Sequence, residues 1–183
     1  EEGQILYHFL RMGVEEEEYG YVLEGVKPIS IRDFYGLDQF PLYKDLKRNE
    51  DEWLKTLLAR SVIPIWNKWC GDQKTFVLKV TPLIPSDRVA SGFEVQLINL
   101  PLLKEVIQKN IDLFRYILGP TLQSDHLAQK IAYSDKQLID VLEGNLVLMG
   151  IVLGFGSYNS LVGGYLETLY SCSFLARFLY GIQ

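Results

Sequence analysis

From Asn145 to Leu166 the chain reads NLVLMGIVLGFGSYNSLVGGYL, apolar on both sides of a small, polar centre and without a charge. The centre is Gly154-Phe155-Gly156-Ser157-Tyr158-Asn159-Ser160. This pattern predicts two buried helices joined by a tight turn. Gly154 and Gly156 would supply positive φ or close packing, and Ser157 would cap the second helix. Asn159 carries both a donor and an acceptor, so it is expected to bond backbone groups that the break leaves unpaired. A terminal helix from Ser160 to Tyr180 follows.

Upstream, Ile5, Leu6, Phe9 and Leu10 lie at helical spacing, and Gly13 is expected to stop that helix. The acidic run Glu15 to Glu18 reads as a solvated connector, so residues 1–18 are expected to be a loosely packed appendage of a single domain. Tyr19 to Ile31 is aromatic and β-branched around Gly25 and Pro28, which predicts two short extended pieces with a turn between them. Asp33 to Phe40 suggests a helical turn. A helix is predicted from Asn49 or Asp51 to Ile63, with Pro64 kinking or ending it.

Thr75 to Thr81 and Phe93 to Ile98 read as strands, paired antiparallel across a long polar loop. In the second, Phe93, Val95 and Leu97 alternate with Glu94 and Gln96, which predicts an outward polar face. Asn99 or Leu100 caps a long helix with Pro101 at its start and Gly119-Pro120 at its end. Ser124 begins a shorter helix. Ser134 with Gln137 forms a capping box for another through Leu142, ended by Gly144. The fold class implied is α+β: a small antiparallel sheet in one domain, with several helices packed on one face.

Composition adds limits rather than a function. The chain has 183 residues, 48% hydrophobic and 22% charged, which suits an ordinary globular domain. A net charge of -5 argues against nucleic acid as a partner. Two cysteines, Cys70 and Cys172, form no disulfide framework and read as thiols rather than a bridge. Cys172 sits in an almost uncharged helix, where burial would quench its reactivity. No metal site is indicated, because two His and two Cys lack ligand spacing. No cofactor is indicated either: Gly154-x-Gly156-x-x-Asn159 imitates a dinucleotide loop but lacks its third glycine and its βαβ setting. The 146–166 run is long enough to span a bilayer, yet Ser157, Asn159 and Ser160 would fall in mid-membrane, so a buried helical pair is favoured. Trp53, Trp66 and Trp69 read as core before they read as a recognition pocket.

Three stretches carry a resemblance. Gly20 to Ile31, GYVLEGVKPISI, includes Lys27-Pro28; Leu97 to Gly119 holds Ile98-Asn99, Asn110 and Leu113-Phe114; Met149 to Ser160 reads MGIVLGFGSYNS. Together they resemble, in order, the motifs of a family of uncharacterised proteins from intracellular bacteria of the chlamydial type, with relatives in Legionella-like organisms. Leu100 stands where that family often has Lys, and Ser157-Tyr158 replaces its usual charged pair. The resemblance implies an exported or surface-associated bacterial protein, with room for a lipid anchor upstream of Glu1, where the chain opens without Met. It implies no activity. The expectation for function is therefore a non-enzymatic interaction or accessory protein with a protein partner, with Lys27, Pro28, Gly154, Gly156, Ser157, Asn159 and Ser160 as binding or structural residues. The alternative is a hydrolase or other enzyme using a polar pocket near Ser157 to Ser160.

Overall fold

In the computed structural model the described residues are 1–16, 19–35, 61–71, 74–83 and 92–165. Three strands form one antiparallel sheet: β1 (Ile29–Tyr35), β2 (Phe76–Pro82) and β3 (Gly92–Asn99), in the order β1-β3-β2. Both predicted strand runs form and pair in the predicted sense, with Val80 opposite Val95, and Ile29 to Ile31 joins them on the other side of β3. Asp33 to Tyr35 continue β1 and form no helical turn; Gly36 to Phe40 lie outside the described residues.

The sheet is covered on both faces, where the pattern predicted helices on one. Helices α1 (Glu2–Glu16), α2 (Tyr19–Leu23) and α3 (61–70) cover the first face. Phe9, Tyr19, Val22, Val62 and Trp66 pack there on Phe34, Leu78, Phe93, Val95 and Leu97. Helices α4 (Leu100–Lys109), α5 (Ile111–Leu118), α6 (Ser124–Tyr133), α7 (Leu138–Val141) and α8 (Leu146–Val152) cover the second. Their buried Leu103, Ile107, Phe114, Ile131, Leu138 and Leu148 gather over Ile29 and Ile98. Each such side chain contributes roughly 1.5–3 kcal/mol by leaving water.

Several local expectations change for physical reasons. Gly13 does not stop α1; it lets the helix pass close to the Tyr19 ring, where a Cβ would collide. Phe9 and Met12 are buried, so α1 is anchored to the sheet. Tyr19 to Leu23 is helical rather than extended, because Tyr19 and Val22, three apart, both reach the core. The chain stays helical through Pro64, with Val62, Ile65 and Trp66 buried around it. The start predicted for that helix lies outside the described residues. The single helix expected after Asn99 is two. Asn110 takes φ -111° and ψ 21° between them, and its side-chain amide donates to the Val106 carbonyl at 2.8 Å. The capping box also fails: Gln137, not Ser134, is the residue before α7, and its amide donates to Pro82 O at 3.0 Å.

β3 explains the second layer. Its residues 93–99 are all buried, so Glu94 and Gln96 are not an outward face. They share the second face with Lys79 and Thr81 of β2, beneath α6 and α7.

Candidate interaction surface

Helix α2 ends in a Schellman motif, in which a left-handed residue lets two backbone amides turn back onto the helix's last carbonyls. Gly25 takes φ +73°, its amide donates to Val22 O at 3.2 Å, and the Val26 amide donates to Tyr21 O at 2.8 Å. Helix α8 ends in the same way. Gly154 takes φ +86°, its amide donates to Ile151 O at 3.1 Å, and the Phe155 amide donates to Gly150 O at 3.0 Å. The two ends abut. A Cβ on Gly154 would stand 3.2 Å from Lys27 Cγ and 3.3 Å from Pro28 Cδ. Gly154 is thus required twice, by its φ and by the approach of Lys27-Pro28.

Asn99 ties this junction to the sheet. Its backbone amide donates to Pro28 O at 2.8 Å, and its side-chain amide donates to Val22 O at 3.3 Å. Its Oδ1 accepts the Leu102 amide at 3.2 Å and so caps α4. The three stretches that carry the family resemblance therefore meet around one point.

Lys27 rises from that point between two aromatic rings. Its Nζ lies 5.7 Å from the Tyr21 ring centre and 5.2 Å from that of Phe155. Both rings are more than half exposed, Tyr21 at 54% and Phe155 at 53%. Such cation–ring contacts contribute about 0.5–1 kcal/mol at exposed sites. A cation here also complements the partial negative charge of two helix C-termini.

After the junction the chain re-enters a helix, α9, described over 157–165. Gly156, at φ +76°, occupies the cap position and its carbonyl accepts the Ser160 amide at 3.0 Å. Ser157 is the first helical residue, not the cap. Ser160 is buried and its Oγ donates to the same Gly156 carbonyl at 2.6 Å. It packs on Gly150, where a Cβ would stand 2.6 Å from the Ser160 Oγ; Gly164 meets Val147 in the same way. α8 and α9 thus cross on small residues.

Asn159 does not bond the joint. It is exposed, and among the described residues its side chain makes no hydrogen bond. The Schellman amides of Gly154 and Phe155 engage the Ile151 and Gly150 carbonyls, and it is Ser160, not Asn159, that turns back onto Gly156. With Ser160 packed inward, Tyr158, Leu161, Val162 and Tyr165 stand outward. Their spacing is i, i+3, i+4, i+7, an apolar stripe on the solvent side of the helix. No helix among the described residues is long and apolar enough to cross a membrane.

The ionisable groups gather elsewhere, on the second face of the sheet. Lys79 donates to Ile131 O at 2.9 Å and to Lys136 O at 2.6 Å, which fastens β2 to the end of α6 and the turn after it. Gln96 Nε2 donates to Glu94 Oε1 at 2.5 Å. Burial pushes the Glu94 carboxyl above its usual range, opposed by the Gln96 bond, the Leu138 amide and Lys79. Burial lowers the Lys79 ammonium, opposed by Glu94 and Asp135. Thr81 Oγ1, Gln96 Oε1 and Ser134 Oγ are buried without a hydrogen-bond partner among the described residues. Sequence reasoning missed this layer; an acid and an amide in a strand flanked by helices on both sides were its only signal. Among the described residues no three acidic, His or Cys side chains are grouped to hold a metal.

Trp66 is core, whereas Trp69 is exposed and donates from Nε1 to Glu2 at 2.9 Å, so the two do not share a pocket. Cys70 is a free thiol. Trp53 and Cys172 lie outside the described residues. Comparison of the chain with family models, with curated proteins and with solved structures gives no match in any of the three.

Proposed function

We propose that the chain is a non-enzymatic interaction protein that docks a partner protein on the surface of Tyr21, Lys27, Phe155 and the outer stripe of α9. One observation carries this reading: Tyr158, Leu161, Val162 and Tyr165 face solvent at helical spacing while the small residues of the same helix face inward. A helix that merely covers a core does the reverse. The partner that fits is an amphipathic helix whose apolar side chains lie along that stripe and whose carboxylate reaches Lys27. The hydrolase alternative finds less support, since the Ser160 hydroxyl is buried and spent on Gly156, and Ser157 and Asn159 lie open to solvent. The exported or surface-associated setting rests on the family resemblance alone.

The reading is tested by titrating labelled helical peptides of Leu and Glu, or of Leu and Lys, into the native chain and Leu161→Glu. Binding of the Leu/Glu peptide that Leu161→Glu removes, at an unchanged melting midpoint, is expected. Failure of both peptides to bind, or unfolding of Leu161→Glu, would overturn the reading. So would a dimer of the native chain that Leu161→Glu splits, which would give the stripe to a second copy.

A further inference from the structure

We infer that the outer edge of β2 accepts an extended peptide segment of a partner protein as a fourth strand, at a place separate from the α9 surface. In an antiparallel pair, residues alternate between those that bond the neighbour and those whose backbone points away. The Leu83 amide donates to Gly92 O at 3.0 Å, and the Leu100 amide donates to Thr75 O at 2.9 Å. With Val77 opposite Ile98 and Lys79 opposite Gln96, the odd residues of β2 bond β3. The backbone N–H and C=O of Phe76, Leu78 and Val80 therefore point outward, and among the described residues nothing meets them. The next outward position is Pro82, which has no N–H and so closes the ladder.

This edge is recessed. A cavity of about 370 Å³ follows Phe76 to Val80, walled by Trp66, Asn67 and Cys70 of α3 on one side and Ala132 to Asp135 on the other. Flanking by α3 and by the residues after α6 disfavours edge-to-edge pairing of two copies. A single extended strand fits between the walls.

The two walls set its sequence. Side chains opposite Phe76, Leu78 and Val80 share their face and meet Trp66 and Cys70, which suits apolar residues. The residues between them face Ala132 to Asp135. The charged side chains of the lining are Lys79 and Asp135, and the Lys79 ammonium is already held by the Ile131 and Lys136 carbonyls. Asp135, at the C-terminal end of α6, then favours a basic residue. The ligand class is a peptide that alternates apolar and basic residues in β conformation. Its main chain supplies affinity and its alternation supplies specificity.

The probe is a fluorescein-labelled Val-Lys-Val-Lys-Val peptide titrated into the full chain, beside a copy N-methylated at its valines and a Val-Glu-Val-Glu-Val copy. Saturable binding of the first is expected, weakened about tenfold or more by N-methylation, by the Glu copy and by Asp135→Lys. Amide exchange at Phe76, Leu78 and Val80 should slow only with the first peptide bound. Absence of binding at millimolar peptide, equal binding of the N-methylated copy, or protection at other amides would each overturn the inference. So would a self-associated chain that the peptide dissociates, which would give the edge to a second copy.

Discussion

The α8–α9 joint and the second face of the sheet treat polar groups in opposite ways. At the joint backbone groups bond one another: Gly154 and Phe155 turn back onto α8 and Ser160 onto Gly156, while Ser157, Tyr158 and Asn159 are left at the surface. On the sheet β3 is paired on both sides, yet Lys79, Thr81, Glu94 and Gln96 are buried beside it, where Lys79 bonds nearby carbonyls and Gln96 bonds Glu94. The joint therefore depends on glycine conformation and the sheet on side-chain chemistry. Polar residues next to a buried break need not be part of it, and polar residues in an alternating strand need not face water.

The largest effect should come from the sheet. Lys79→Met removes the ammonium from two carbonyls, Ile131 O and Lys136 O, and from the Glu94 carboxylate. Stability should fall by roughly 2–4 kcal/mol, since each buried group left unpaired costs about 1–3 kcal/mol. Denaturant midpoints measure this; a loss below 1 kcal/mol would mean the fastening is dispensable. At the joint, Gly156→Ala meets no neighbour within 4 Å but must hold φ +76°. Its cost should be about 1–2 kcal/mol, from left-handed backbone alone.

A subtler effect separates the regions by pH. The folded pKa of Glu94 is raised, so its neutral form is favoured in the fold. The associated stability is complete below the unfolded carboxylate pKa and is lost as pH rises through the folded value. Glu94→Gln keeps an acceptor for Gln96 and Leu138 without the buried charge. Its melting midpoint should therefore gain on the native chain as pH rises, and the gap should close in acid. A gap independent of pH would show that Glu94 is not the titrating group. Substitutions in the joint should show no such dependence.

Legibility in the sequence followed the same division. The strands were readable from β-branched runs bounded by Pro and Gly, and so was their antiparallel pairing. The positive φ of Gly154 and Gly156 was readable from their place between two apolar helices. The burial of Glu94 and Gln96 was not, because period-two alternation has one meaning when a sheet is covered on one face and another when it is covered on both. Residues 19–23 misled through propensity, since Tyr and Val favour strands until packing decides. Asn159 reads as part of the joint because a gap in a helix suggests a side-chain bond, whereas the amides of Gly154 and Phe155 turn back onto α8 themselves. The contact between Lys27-Pro28 and Gly154 was beyond reach, since nothing in one stretch specifies the other.

The joint is made of backbone turns, and the side chains of Ser157, Tyr158 and Asn159 take no part in it. Parallel thermal melts of Gly154→Ala and Asn159→Ala test it most directly. Gly154→Ala must hold φ +86° and crowd Lys27 and Pro28, so about 2–3 kcal/mol should be lost. That corresponds to a midpoint lower by roughly 4–12 °C for a chain of this size. Asn159→Ala, an exposed change, should stay within about 0.5 kcal/mol of the native chain. An Asn159→Ala midpoint that falls as far as that of Gly154→Ala would contradict the claim.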